Sequence, residues 1–364
     1  MNATDRINYV NIGLMAVAAI VAFLLPFEAF LFAYAVLGPL HYLTEISWLH
    51  EKKYFTRHRY DYLLLGATAV VLLILAFGMD WLFQHMPQAF AGYASADDLK
   101  QKARFWGNGL IFVAFASALV MITLKRSLYR AFAFIFILVT AQFLKDKDSA
   151  FLFFSIFLPT LIHVFFFTGA FVLYGALKTR SRSGLLSFGA FLVFPALIWL
   201  FNSFGLGRPV SSYVLDSYGM FMTLNAKTIE LMHLGSVQSA NDIFYSSFGV
   251  LVMRLIAYAY TYHYLNWFSK TSVIRWHEVS KPRITAIVAL WLLSVGLYAV
   301  NYRIGVIALY CLSFMHVFLE FPLNHVTFIG IGREVAKWGK KKPIVPAAVV
   351  VAGSPTLLSK ENAR

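Results

Sequence analysis

The chain has 364 residues, of which 60% are hydrophobic, 17% aromatic and 13% charged, with a mean hydropathy of +0.68 and a formal net charge of +14. Soluble globular chains run at roughly 45–50% apolar and about 25% charged, so these figures exclude a soluble domain, and with it a disordered chain or a coiled coil. The single cysteine, Cys311, excludes an internal disulfide and a multi-cysteine metal site. The composition is that of an all-α, polytopic transmembrane helix bundle.

An apolar run of about 20 residues crosses a bilayer as a helix. Ten such runs follow one another, at about 9–25, 27–50, 61–79, 106–124, 131–144, 149–177, 184–203, 241–268, 284–300 and 304–327. The first follows MNATDRIN and reaches Pro26 without a small-residue cleavage site, which reads as a retained span and not as a signal peptide. The stretch 204–240 is the longest connection and is expected to carry a short interfacial helix near 223–234. Residues 1–327 form one membrane domain, and 328–364 a basic tail with Lys340, Lys341 and Lys342. The segments 51–60, 125–130, 178–183, 270–283 and 328–364, with Arg6, hold 22 of the 31 Lys and Arg residues, and they alternate with basic-poor connections. By the positive-inside rule both termini are cytoplasmic, which an even number of spans satisfies. The expected location is a bacterial inner membrane, multi-pass. The positive charge is thus assigned to topology, and no nucleic-acid motif accompanies it.

Ionisable groups inside spans are costly and mark function. His41 and His50 fall late in the second run, His163 in the middle of the sixth, His263 late in the eighth, and His316 and His325 close the tenth. In the layout above these four helices run in the same direction and offer imidazoles at similar depth. A repeated pattern sharpens the site: His41-x3-Glu45-x4-His50 in the second run and His316-x3-Glu320-x4-His325 in the tenth. Residues i and i+4 share a helix face, so each His–Glu pair can aim two donors at one metal, which also removes the penalty of an unpaired carboxylate. The ninth residue on from a helical histidine lies on the opposite face, which ranks His50 and His325 below His41, Glu45, His316 and Glu320; Pro322 is the one feature able to bring His325 back. His277, in the segment after the eighth run, is a further candidate ligand. Asn266 shares the face of His263 and is a candidate to orient a bound water, and Arg254 is a candidate partner for a carboxylate or a substrate head group. Thr44 and Ser47 stand beside the first pair. The tyrosines 258, 260, 262 and 264 read as an interfacial aromatic belt. Mixed imidazole and carboxylate donors suit iron, manganese or zinc, and the set is large enough for two iron ions, as in bundle proteins that collect ligands from facing helices.

A metal at this depth would act on lipid-soluble small molecules with dioxygen, by hydroxylation, desaturation or oxidative cleavage. The His41 helix, His163, the His263 helix and the His316-to-Glu320 helix together resemble the integral-membrane, histidine-ligated non-haem iron oxygenases, and within them the Brp/Blh-type carotene dioxygenases, over about two-thirds of the chain. That resemblance implies an all-helical iron enzyme that cleaves an apolar polyene with dioxygen. The chain departs from the family in lacking a His-Ser-x-x-His in the eighth run and in carrying the doubled His-x3-Glu. Hydroxylation or desaturation would add a ferredoxin-type electron donor. Two other classes use some of the same residues: a membrane-bound acyltransferase, through the Arg275-Trp276-His277 stretch, and a metal- or proton-coupled transporter lined by histidine and glutamate.

Overall fold

The structure is a computed structural model that describes residues 3–78, 81, 85, 96–270, 275 and 278–337. The described residues are helical, without strands. In chain order the helices are α1 (Ala3–Leu24), α2 (Pro26–Glu51), α3 (Asp61–Gly78), α4 (Ala96–Thr123), α5 (Ser127–Leu144), α6 (Asp148–Thr179) and α7 (Arg182–Leu200). The short α8 (Ser212–Tyr218), α9 (Met222–Leu231) and α10 (Ala240–Phe244) follow, then α11 (Ser247–Ser269), α12 (Lys281–Val300) and α13 (Tyr302–Lys337). Helix α9 falls where the sequence placed a short helix in the long connection. His277 and the residues beyond Lys337, including Lys340 to Lys342, lie outside the described residues.

Among the described residues nine helices, α1 to α7, α12 and α13, are long and apolar enough to cross a membrane. The remaining predicted span, the eighth run, is α11 and has the length, since 23 residues at about 1.5 Å each exceed a hydrocarbon core of about 30 Å. It is more polar because it is the central helix, buried along almost its whole length and packed by α1, α2, α6, α7, α9 and α10. A helix that meets protein on every side need not be apolar on every side. The reverse holds at the rim. Only 17% of the apolar stretch of α5 and of α12 is buried, against 61% of that of α2, and α5 turns Phe132, Phe136 and Phe143 outward.

Helix starts are set locally. Pro26 opens α2, where its missing N–H costs nothing, and Ser181 and Ser246 cap α7 and α11 by accepting from the amides of Gly184 and Gly249. Ser239 and Asp242 form a capping box on α10. The amides of Ser239 and Gln238 hold the Asp242 carboxyl below the usual range. That cap therefore contributes fully above the ordinary carboxylate pKa and is lost as pH falls through the folded value.

Two large apolar cores build the interior, beside a small cluster of Val113, Val120, Ile137 and Ala141 between α4 and α5. The first gathers around α11, from Met15 of α1 through Phe30 of α2 and Phe191 of α7 to Tyr258 and Tyr262. The second gathers around the later part of α13, with Leu65 and Leu72 of α3 and Ile111, Ala114 and Ala118 of α4. Four helices contribute buried residues to both: α2 (Tyr42, then Trp48), α6 (Val164, then Phe167), α11 (Tyr264, then Trp267) and α13 (Leu309, then Val317). These are the four helices on which the sequence placed candidate ligands. The tyrosines 258, 260, 262 and 264 are buried inside the first core, so they pack the bundle and do not form the interfacial belt expected of them.

Arg254 is a fastener of the first core. Its guanidinium, stacked 3.9 Å over the Phe23 ring, donates to the carbonyls of Phe23 (3.1 Å), Asn202 (2.8 Å) and Phe204 (2.8 Å) and to Asn202 Oδ1 (2.9 Å). Gly205 follows Phe204 with φ of +69°, a conformation glycine adopts freely, and so carries the turn that aims these carbonyls inward. Helices α1, α7 and α11 are tied together at this one side chain. Replacing Arg254 by Ala leaves several buried carbonyls without donors and is expected to cost about 3 kcal/mol, read as a lowered melting temperature in detergent, with metal content per folded chain unchanged.

Candidate metal centre

His41, His163, His263 and His316 meet where the two cores join. Each offers a ring nitrogen, and all four of these atoms lie within 4.8 Å of one another. The side chains are 1%, 1%, 7% and 2% exposed, which places the group in the protein interior. Nε2 of His263 is 3.1 Å from Nε2 of His41, and Nε2 of His316 is 3.2 Å from Nε2 of His163. Neighbouring ring centroids are 4.7–5.4 Å apart and steeply inclined, so the rings point edge-on to a common centre. With metal–nitrogen bonds of about 2.1 Å, neighbouring ligand atoms lie about 3.0 Å apart at right angles and about 3.4 Å apart in a tetrahedron. The His263–His41 and His316–His163 spacings fall in that interval.

Local helix geometry brings the rings there. Residues 33–37 of α2 and Phe151–Phe167 of α6 are wound as π-helix, with i→i+5 hydrogen bonds. The first stretch immediately precedes the His41 turn and the second contains both Pro159 and His163. Widened turns of this kind recur at functional sites because they rotate a side chain away from the face that a regular helix would give it. Gly38 keeps the adjacent wall close: a Cβ there would sit 3.0 Å from the Tyr42 hydroxyl and 3.2 Å from that of Tyr264.

The two carboxylates stand at the same centre in different ways. Glu45 Oε2 is 3.1 Å from Nε2 of His41, one turn away on the same helix, within reach of the point where the imidazoles converge. Glu320 Oε2 is 3.0 Å from Nδ1 of His163, on another helix and behind the ring. These contacts are short but are not aligned as hydrogen bonds. Both Oε2 atoms, with Nδ1 of His41, His163 and His316, are buried without a hydrogen-bond partner. Buried polar atoms are almost always satisfied, and Glu45 Oε2, beside the converging Nε2 of His41 and without a hydrogen-bond partner, fits a bound cation. Thr168 Oγ1 lies 2.7 Å from Nδ1 of His263 and fixes that ring with Nε2 toward the centre. A wall of aromatic rings closes the site. Tyr42 stacks on His316 at 4.1 Å, Tyr264 and Trp267 lie 5.2 and 5.3 Å from His41, and the Tyr42 and Tyr264 hydroxyls are hydrogen-bonded at 2.9 Å. The Trp267 indole donates to Thr44 Oγ1 (3.0 Å).

The other candidates lie elsewhere. His50 is exposed and its ring packs 6.0 Å from that of Tyr54, as its position nine residues beyond His41 requires. His325 is buried with Nε2 3.0 Å from the Phe115 carbonyl, and Pro322 does not bring it to the cluster, because α13 continues as one helix. Asn266 is buried three residues beyond His263, and among the described residues its polar contacts are to Tyr262 and Ser269. Arg254 lies nine residues before His263, about 13 Å along the helix, with its donors taken up as described. His58, His85 and His233 are exposed. Thr168, Tyr42 and Tyr264 carry no signal in the sequence beyond being polar or aromatic near a candidate histidine.

No protein-family model, curated protein or solved structure matches the chain. The four-histidine cluster could hold a metal ion, and its chemistry is read from the residues alone.

Replacing His163 or His316 by Ala is expected to abolish stoichiometric metal binding in protein that stays helical by circular dichroism. Replacing Thr168 by Val, which keeps shape and removes the contact to His263, is expected to weaken metal affinity by about 10–100-fold while leaving saturating stoichiometry intact. Titration of metal-free protein with Co2+ reads both.

Proposed function

We propose that the protein is a membrane-embedded non-haem iron oxidoreductase that uses dioxygen on a lipid-soluble substrate. The observation that carries this reading is the convergence of four buried imidazole nitrogens, one from each of four helices, on a single point. Imidazole donors suit iron, copper, zinc and nickel, and four of them leave open coordination positions on a metal that favours six. Convergence on one point favours one metal ion over the two expected from the doubled His-x3-Glu. A haem is disfavoured by space, since imidazoles this close together occupy the plane that a porphyrin would need.

Bound iron would supply dioxygen activation, and the chain's own residues supply the rest. His41, His163, His263 and His316 hold the ion, Glu320 and Thr168 orient two of the rings, and Glu45 is placed to reach the ion or a group bound beside it. Tyr42, Tyr264 and Trp267 pack around the imidazoles and exclude bulk water, which protects reactive oxygen chemistry from side reactions. The depth of the site within apolar helices points to a substrate that partitions into lipid, an isoprenoid or another long apolar chain, as the resemblance to the carotene dioxygenases also implies.

Protein purified without chelators is expected to carry iron and to lack a haem absorption band. Incubated with an extract of membrane lipids and isoprenoids under isotopically labelled dioxygen, it is expected to place label in a lipid product, read by mass spectrometry. A haem spectrum, or substrate turnover that persists after metal removal, would overturn the reading.

A further inference from the structure

Glu45 and Glu320 are the acidic side chains buried at the metal centre, 1% and 3% exposed. They interact electrostatically with each other. Among the described residues neither has a Lys or Arg ion-pair partner; the short contacts of both are to imidazoles of the cluster. Lys270, at the end of α11, acts electrostatically on His263 without pairing with either carboxylate. With a cation bound, two carboxylates would face a site whose other donors are neutral imidazoles, both nearly without exposure to solvent.

We infer that Glu45 and Glu320 set the charge of the centre, making it selective for a divalent cation and making that cation easier to oxidise. The inference rests on the metal reading above. Four neutral imidazoles and two carboxylates carry a charge of −2, so a divalent ion makes the buried assembly neutral, whereas a monovalent ion leaves it negative. Neutrality matters because the cost of burying net charge grows with its square. The same dependence governs loss of one electron from a ferrous ion. With both carboxylates the assembly goes from 0 to +1, with one from +1 to +2, and with none from +2 to +3, and these charging costs stand roughly in the ratio 1 to 3 to 5. The carboxylates therefore lower the barrier to giving an electron to dioxygen, the acceptor in the proposed reaction. Glu45 does so from beside His41 and Glu320 from behind His163, so the two contribute separately and whether or not Glu45 is itself a ligand.

Metal-free protein and its Glu45→Gln, Glu320→Gln and doubly substituted forms would be titrated with Co2+ and, separately, with Ag+. Glutamine keeps the size of the side chain and an oxygen to stand against His163 while removing the charge. Each single substitution is expected to weaken Co2+ binding by about 10–100-fold with Ag+ affinity retained. In iron-loaded protein the reduction potential is expected to move positive in each variant and further in the double one. Glu45→Asp, which keeps the charge, is expected to keep the preference for Co2+ over Ag+. Equal loss of both cations would mean that the carboxylates only hold the rings in place, and would overturn the inference. Unchanged Co2+ affinity and potential in the variants would overturn it while leaving the metal reading standing. Wild-type protein that binds no Co2+ would overturn both.

Discussion

The arrangement depends on the cost of placing ionisable groups where water is absent. Four imidazoles and two carboxylates, nearly without exposure, are gathered at one point between two apolar cores. The Nε2 atoms stand 3.1–3.2 Å apart in two pairs, and Oε2 of each carboxylate has no hydrogen-bond partner. A cation bound there would compensate the desolvation of both carboxylates. The π-wound turns of α2 and α6, the small residue at Gly38 and the packing of Tyr42 on His316 all serve to bring the donors to that spot.

Arg254 illustrates the other solution to the same constraint. It too is a charge buried in the bundle, but it is stabilised by carbonyl oxygens and an aromatic face, and its role is to tie helices together. A charged residue within a span therefore has two physical meanings, a fastener or a site, and neighbours on other helices decide between them.

That distinction marks what could be read from the sequence. The helical class followed from composition, and the four ligand helices from the positions of His41, His163, His263 and His316. The lower rank of His50 followed from helix periodicity. What remained hidden was set by contacts between helices. Spacing within α13 pairs Glu320 with His316, yet its carboxylate stands against His163 of α6. Thr168 is one polar residue after a run of phenylalanines and acquires meaning only because α11 brings His263 to it. The tyrosines of α11 have the composition of an interfacial belt, and only the packing of six neighbouring helices shows that they are interior. The polarity that lowers the hydropathy of α11 was likewise legible, but its cause, central placement, was not.

The junction of the two cores has a mechanical consequence. Helices α2, α6, α11 and α13 are the members that cross from one core to the other, and each carries one imidazole at its crossing point. A bound ion would therefore be a rivet through four beams, added to the apolar packing and to hydrogen bonds such as Trp267 to Thr44. The free energy of metal binding would then become resistance to slippage between the two cores, and a loaded bundle would be the stiffer one. Ligand geometry and bundle architecture are in this sense a single object: a shift of either core against the other moves donors from different helices at once.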